Sequence, residues 1–205
     1  MSRDFKEHYE GADEASRLRE GVGALEFARS REVIARFLPA ACARVLDIGG
    51  GPGAYAGWLS EGGHEVLLVD PVVRHVEEAR RRGIAAVVGD ARALPWGSPP
   101  VDLVLLQGPL YHLIERADRL KALEEARRVL REGGVVVAAA ISRYASLIDG
   151  LVRGFWRDPE FSSILAEDLR SGQHRNPTSR LDFFTTAFFH RPEELRGELQ
   201  EAGLL

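Results

Sequence analysis

Disulfides, membrane spans and a strong charge of either sign are all missing from this sequence. Its single cysteine, Cys42, has no partner for an internal bridge, so the fold must rest on a packed core rather than on covalent staples. No stretch is both long and apolar enough for a signal peptide or a membrane-crossing helix, and the expectation is a cytoplasmic protein with no membrane partner. The 27 Lys and Arg stand against 31 Asp and Glu, a formal net charge of -4. That balance lacks the basic footprint of a general nucleic-acid binder, while a local basic groove would leave RNA open as a partner. No metal site is expected.

What is present is a well-punctuated apolar pattern. With 205 residues and 45% hydrophobic side chains, the chain can bury one good core. EFARSREVIARFLP carries Val33, Ile34, Phe37 and Leu38 at helical spacing and stops at Pro39. ARVLDIG, HEVLLVD, IAAVVGD, VDLVLLQG and VVVAAAI then read as short apolar strands. Between them AYAGWLSEGG, VVRHVEEARRRG and RADRLKALEEARRVLREGG read as helices. Strands that are apolar throughout and separated by helices predict an α/β fold, a Rossmann-like doubly wound parallel sheet flanked by helices.

The stretch VLDIGGGPGAY, Val45 to Tyr55, falls at the first strand, its tight turn and the start of the next helix. Such turns serve several ligands. A phosphate loop of the form GxxxxGK[ST] is ruled out, because Ala54, Tyr55 and Ala56 stand where lysine and a hydroxyl are needed. A dinucleotide fingerprint is harder to dismiss: Gly49, Gly51 and Ala54 fit it, and Asp70 ends the next strand where a ribose-binding acid belongs. Charge separates the candidates. Asp47 beside the turn would oppose a pyrophosphate and suit a cationic ligand, and strands one, two and three all end in aspartate, at Asp47, Asp70 and Asp90.

With these residues in view, the sequence resembles the class I S-adenosylmethionine-dependent methyltransferases over roughly residues 40 to 141. The first motif of that family, an acid followed by alternating glycines, is matched by Asp47, Gly49, Gly51 and Gly53. The second is matched by Asp70, followed by Pro71, and the third by Asp90 with Ala91. The fourth falls on VDLVLLQGPLYHL, which contains Gln107. RVLREGG resembles the family's approach to strand five, with Glu132 in place of the usual proline. The resemblance implies S-adenosyl-L-methionine as cofactor and S-adenosyl-L-homocysteine as product, with these residues around it. Asp70, an anion with two acceptor oxygens, is expected to take both ribose hydroxyls, Asp90 the adenine amino group, and Val72 and Leu94 to flank adenine.

The acceptor side is less determined. Methyl transfer needs a positioned acceptor and, for hydroxyl or amine acceptors, removal of a proton. His112 is the candidate base and Tyr111 its neighbour at the acceptor. Residues 1–39 are expected to form a helical cap, with Tyr9, Arg17 and Arg29 as candidates for the methionine carboxylate. Residues 40–141 form the core, 142–190 a lid or substrate insertion with two helices, and 191–205 the last helix of a single domain.

Within the insertion, Arg143, His174 and Arg175 are candidates to bind an acceptor bearing a carboxylate or other anion. The alternative is that the arginines pair with Asp149, Asp168 and Asp182 while the phenylalanines form the insertion's own core. The resulting expectation is methyl transfer to a small-molecule acceptor. Other readings are a tRNA wobble-uridine carboxymethyl methyltransferase, whose insertion this segment loosely resembles, and a non-catalytic cofactor-binding module. The resemblance also implies two closing antiparallel strands after the last helix, which the sequence does not reach, so a truncated chain is expected.

Overall fold

A computed structural model of the chain describes residues 18, 20–39, 41–97, 99–178 and 180–205. Its centre is five parallel strands: β1 (Arg44–Ile48), β2 (Glu65–Asp70), β3 (Ala86–Val88), β4 (Val101–Leu106) and β5 (Leu130–Ala138). They stand in the order β3-β2-β1-β4-β5. Val45 pairs with Val66 of β2 on one side and with Leu103 of β4 on the other, which sets β1 in the middle. The chain winds outward in one direction through β2 and β3 and in the other through β4 and β5. The crevice of such a sheet therefore opens at the carboxyl ends of β1 and β4.

Continuous apolar strands are explained by helices on both faces. The helices before the second sheet are α1 (Gly21–Ala35), α2 (Ala54–Glu61), α3 (Val73–Arg81), a single-turn α4 (Pro109–His112) and α5 (Arg116–Val129). Alternate residues of one strand enter different cores. Leu46 and Ile48 of β1, with Val104 and Leu106 of β4, pack against Leu123, Ala126 and Val129 of α5. Val45, Leu103 and Leu105 face Ile34 of α1 and Tyr55 and Leu59 of α2. The buried positions Ala122, Leu123, Ala126 and Val129 recur at helical spacing, so α5 lays one stripe on the sheet. Burying each leucine of this kind contributes about 2 kcal/mol.

Two boundaries differ from the sequence pattern. The helix expected to run through RVLREGG ends at Val129, and β5 starts at Leu130. Pairing jumps from Val101↔Leu130 to Leu103↔Val135, so Arg131 to Gly134 bulge out of register, with Gly133 at φ +70°. Polar and glycine residues there favour a bulge over another buried helical turn.

Beyond β5 the expected helices occur as α6 (Ala145–Arg153) and α7 (Pro159–Ser171), followed at the end by α8 (Pro192–Glu201). Asp158 caps α7 by accepting from the amides of Glu160 and Phe161. A second, three-stranded sheet was not legible in the pattern: β6 (Ile141–Ser142), β8 (Ala187–His190) and β7 (Gln173–His174), in that order. Its strands are too short for a period of two to register, and AFFH is buried at every position. No described helix is long and apolar enough to cross a membrane.

Candidate functional site

The turn after β1 is shaped by what its glycines leave out. Gly49 (φ +69°) and Gly51 (φ +56°) both adopt left-handed backbone. A Cβ on Gly49 would lie 2.8 Å from the Pro109 ring, and one on Gly50 would lie 2.5 Å from Asp47 Oδ2. A Cβ on Gly51 would meet nothing within 4 Å. The first two positions thus let the turn pack onto α4 and over Asp47, and the third faces open space. Gly53, at φ +87°, caps α2 and packs toward Ile84.

Around this turn lies a cleft of about 990 Å³, counting its open mouth. Gly49, Gly51, Asp70, Pro71, Asp90, Ala91, Gln107, Tyr111 and His112 all line it. The sequence pattern had singled out each of them, and four loops from the carboxyl edge of the sheet bring them together. Its walls also include Leu18, Glu26, Val69 and His75, which the sequence reading did not single out, together with Tyr55 from the end of the glycine stretch and Pro109 and Leu113 from the segment after β4. Among the described lining residues the acids are Glu26, Asp70 and Asp90, and there is no lysine or arginine.

The three strand-end aspartates occupy different environments. Asp47 does not line the cleft: it is fully buried beneath Gly50, and neither carboxylate oxygen has a hydrogen-bond partner among the described residues. Burial pushes its carboxyl up to about 7, Asp70 nearby adds to the rise, and the Ala56 amide opposes it. Asp70 is buried yet lines the cleft. Its Oδ1 accepts from the Val72 amide at 2.9 Å and lies 3.2 Å from His75 Nδ1, and its Oδ2 accepts from the Gly51 amide at 2.9 Å. Asp90 is held by Arg92: Nε donates to Oδ1 at 3.0 Å and NH2 to Oδ2 at 2.6 Å. The Arg92 bonds hold the Asp90 carboxyl below the usual carboxylate range, and Arg92 reaches on to Asp118.

Two expected roles are modified by these surroundings. Asp90 is not a free carboxylate: its Oδ1 accepts from the Arg92 amide and Nε and its Oδ2 from NH2, which leaves one acceptor position, on Oδ2, for an adenine amino group. Val72 and Leu94 are buried but do not line the cleft; Val69, Pro71 and Ala91 supply apolar wall on that side.

On the β4 side, Gln107 Nε2 donates to the Val137 carbonyl at 3.3 Å, and the Tyr111 hydroxyl donates to the Gln107 carbonyl at 3.0 Å. The rings of Tyr111 and His112 lie 4.5 Å apart. Behind them stands Arg119, buried on α5. Its NH1 donates to the carbonyls of Leu113 and Ile114, its Nε and NH2 to Glu198 of α8, and its guanidinium lies 3.6 Å from the centre of the Phe188 ring. Burial alone would raise Glu198, but bonds from His190 and Arg119 outweigh it and bring the carboxyl to about 2.

The residues expected to bind an anionic acceptor are engaged elsewhere. Arg143 is buried, with Nε on the Phe189 carbonyl and NH2 on Glu194. His174 is buried between Asp168, at 2.9 Å from Nδ1, and the Phe183 carbonyl, at 2.8 Å from Nε2, and it stacks on Phe189. Arg175 is exposed and bonds to Gln173. Arg153 pairs with Asp149, and Arg180 with Asp158 and Asp182, while Phe161, Phe183 and Ile164 form a small core with Phe155 beside it. Arg153 and Arg180 thus follow the self-paired alternative, whereas Arg143 pairs outside the insertion, with Glu194 of α8, and Arg175 meets no acid; none of them lines the cleft. Near the amino terminus, Arg29 is exposed and pairs with Glu32; Tyr9 and Arg17 lie outside the described residues.

Known proteins fit the same picture. Residues 45–134 match the family described as Methyltransferase domain. An uncharacterized methyltransferase of Mycobacterium tuberculosis is 37% identical over 118 residues, 55% of this chain and 47% of that protein. The chain thus spans about half the length of the first curated relatives it matches. The ubiquinone/menaquinone biosynthesis C-methyltransferase of Acidiphilium cryptum is 31% identical over 185 residues, 84% of this chain and 70% of that protein. The crystal structure of a SAM-dependent methyltransferase from Methanosarcina mazei shares the fold, with a TM-score of 0.65 and 19% identity over 83% of this chain and 82% of that one. A winding order reversing at β1, a glycine turn at that reversal, and a relative matched along most of its length lead to one conclusion: the chain belongs to the class I S-adenosylmethionine-dependent methyltransferase family.

Proposed function

We propose that the protein binds S-adenosylmethionine in the cleft at the carboxyl edge of the sheet and transfers its methyl group to a small, partly apolar acceptor presented on the α4 side. The observation that carries this reading is the charge of the wall: acids and no lysine or arginine among the described lining residues. A dinucleotide would bring a pyrophosphate into that field, whereas a sulfonium and an ammonium are favoured by it. When bound, the cofactor supplies an electrophilic methyl on a good leaving group.

The chain's own residues then bind, orient and accept a proton. Gly49 and Gly51 allow backbone to approach the methionine part. Asp70 takes a ribose hydroxyl, and Pro71, Val69 and Ala91 offer apolar surface to the base. His112 is the base for a hydroxyl or amine acceptor, held beside Tyr111 on a turn pinned by Arg119. An acceptor recognised through its own carboxylate, small or carried on tRNA, loses support, because Arg143 and His174 are committed within the fold and Arg175 stands outside the cleft.

Two measurements test the reading. Calorimetric titration should give binding of S-adenosylhomocysteine and none of NAD; the opposite result would sink it. Incubation with methyl-labelled cofactor and a fractionated cell extract should label the small-molecule fraction. Label in RNA would favour the tRNA reading, and label in no fraction would favour a non-catalytic binding module.

A further inference from the structure

Asp70 has fewer open acceptor positions than a free carboxylate. Such a group offers about four lone-pair positions, two on each oxygen. The Val72 amide and His75 Nδ1 occupy both on Oδ1, and the Gly51 amide occupies one on Oδ2. A carboxylate oxygen only accepts, so His75 Nδ1 carries the proton in this contact. Three protein donors therefore leave one open position, on Oδ2, and the Asp70 side chain is buried and cannot turn freely to offer more.

His75 is built to hold this arrangement. It sits in the first turn of α3, five residues after Asp70, is itself buried, and lines the cleft. Its helix register fixes the ring against the same oxygen that the Val72 amide has oriented.

We propose that His75 is a positioning residue that restricts Asp70 to a single ligand hydroxyl, so that the carboxylate holds the cofactor's ribose through one of its two hydroxyls rather than both. This inference rests on the cofactor reading above. It corrects the expectation that Asp70 chelates the diol, and it assigns to a residue absent from the sequence motifs a share in how the nucleoside is recognised.

The test uses calorimetric titration of the full chain with S-adenosylhomocysteine and its 2′-deoxy and 3′-deoxy analogues. In the unmodified protein, one deoxy analogue should bind about tenfold or more weakly than the parent, and the other within about threefold. His75→Met removes the donor, opens the second Oδ1 position, and should make both deoxy analogues weak relative to the parent. His75→Asn, whose amide can donate from near the Nδ1 position, should restore the one-sided pattern. Equal losses for both analogues in the unmodified protein, or an asymmetry that persists in His75→Met, would overturn the proposal. A purely packing role for His75 would weaken all three ligands in parallel and leave their ratios unchanged. Failure of the unmodified protein to bind S-adenosylhomocysteine at all would instead remove the cofactor reading, and the inference with it.

Discussion

The cleft and the segment from β6 to β8 use the same kinds of residue in opposite ways. Around the second sheet the charges are largely neutralised from within: Arg143 meets Glu194, Arg153 meets Asp149, Arg180 meets Asp158 and Asp182, and His174 meets Asp168. At the cleft Asp90 is paired in the same way, with Arg92. Asp70 is instead held by two backbone amides and His75 and faces a ligand-sized space without a lysine or arginine in its described wall, and the Asp47 oxygens behind it have no hydrogen-bond partner among the described residues. A charge that finds its partner within the fold contributes to architecture. One that is left facing a cleft is available to a ligand. Composition alone does not tell them apart.

The contrast can be broken by substitution, and the largest effect is expected on the architectural side. Arg119→Ala strands the buried Glu198 carboxylate and the carbonyls of Leu113 and Ile114, and should cost about 3–5 kcal/mol in denaturant unfolding. A loss within experimental error would mean that the pair is not buried as described.

Asp47 should show a stability effect of similar size that depends on pH. Its folded pKa, about 7, lies above its ordinary value of 3.8. The folded state therefore keeps this proton where the unfolded chain has lost it. The stability this confers is full below pH 4 and is lost as pH rises to 7, a change on the order of 4 kcal/mol. Asp47→Asn should flatten that slope in the ligand-free protein. Parallel stability curves for variant and parent between pH 4 and 8 would show that Asp47 ionises normally.

Asp70→Ala should weaken S-adenosylhomocysteine binding by about tenfold to a hundredfold, the scale of hydrogen bonds to a charged group. Unaltered affinity by calorimetry would remove Asp70 from the site. Arg175→Ala, at the other extreme, should change stability by no more than about 0.5 kcal/mol and leave both cofactor affinity and methyl transfer as they are. A large loss of transfer would restore Arg175 to the acceptor site and blur the distinction between the two regions.

Much of the fold was legible because its signals are local. The first four strands of the central sheet are apolar runs with an acid or glycine at or just beyond their ends, and α5 carries its stripe within 14 residues. The register jump in β5 was hidden because RVLREGG extends a helical pattern until Asp102 and the β4 edge compete for it. The short strands of the second sheet give no periodicity at all.

The cleft residues divide along similar lines. Gly49, Gly51, Asp70, Asp90 and Gln107 stand at strand ends, with His112 on the short helix that follows β4, and a parallel sheet collects its strand ends in one place. Leu18 and Glu26 come from the chain ahead of β1, whose facing depends on packing, and no motif marks them. The Asp90–Arg92 pair was available as a signal, since the two lie in one turn, D-A-R.

By itself, then, the sequence determined the order of elements, the glycine turn and the set of acids at the strand ends, because strand runs, turns and their boundaries are written in neighbouring residues. Only the tertiary structure decided what each acid does. It buried Asp47 beneath Gly50, tied Asp90 to Arg92, fixed Asp70 with three protein donors, and joined Arg119 to Glu198 across 79 residues. A carboxylate's role follows from the donors and the solvent around it, and those are set by contacts between segments far apart in the chain.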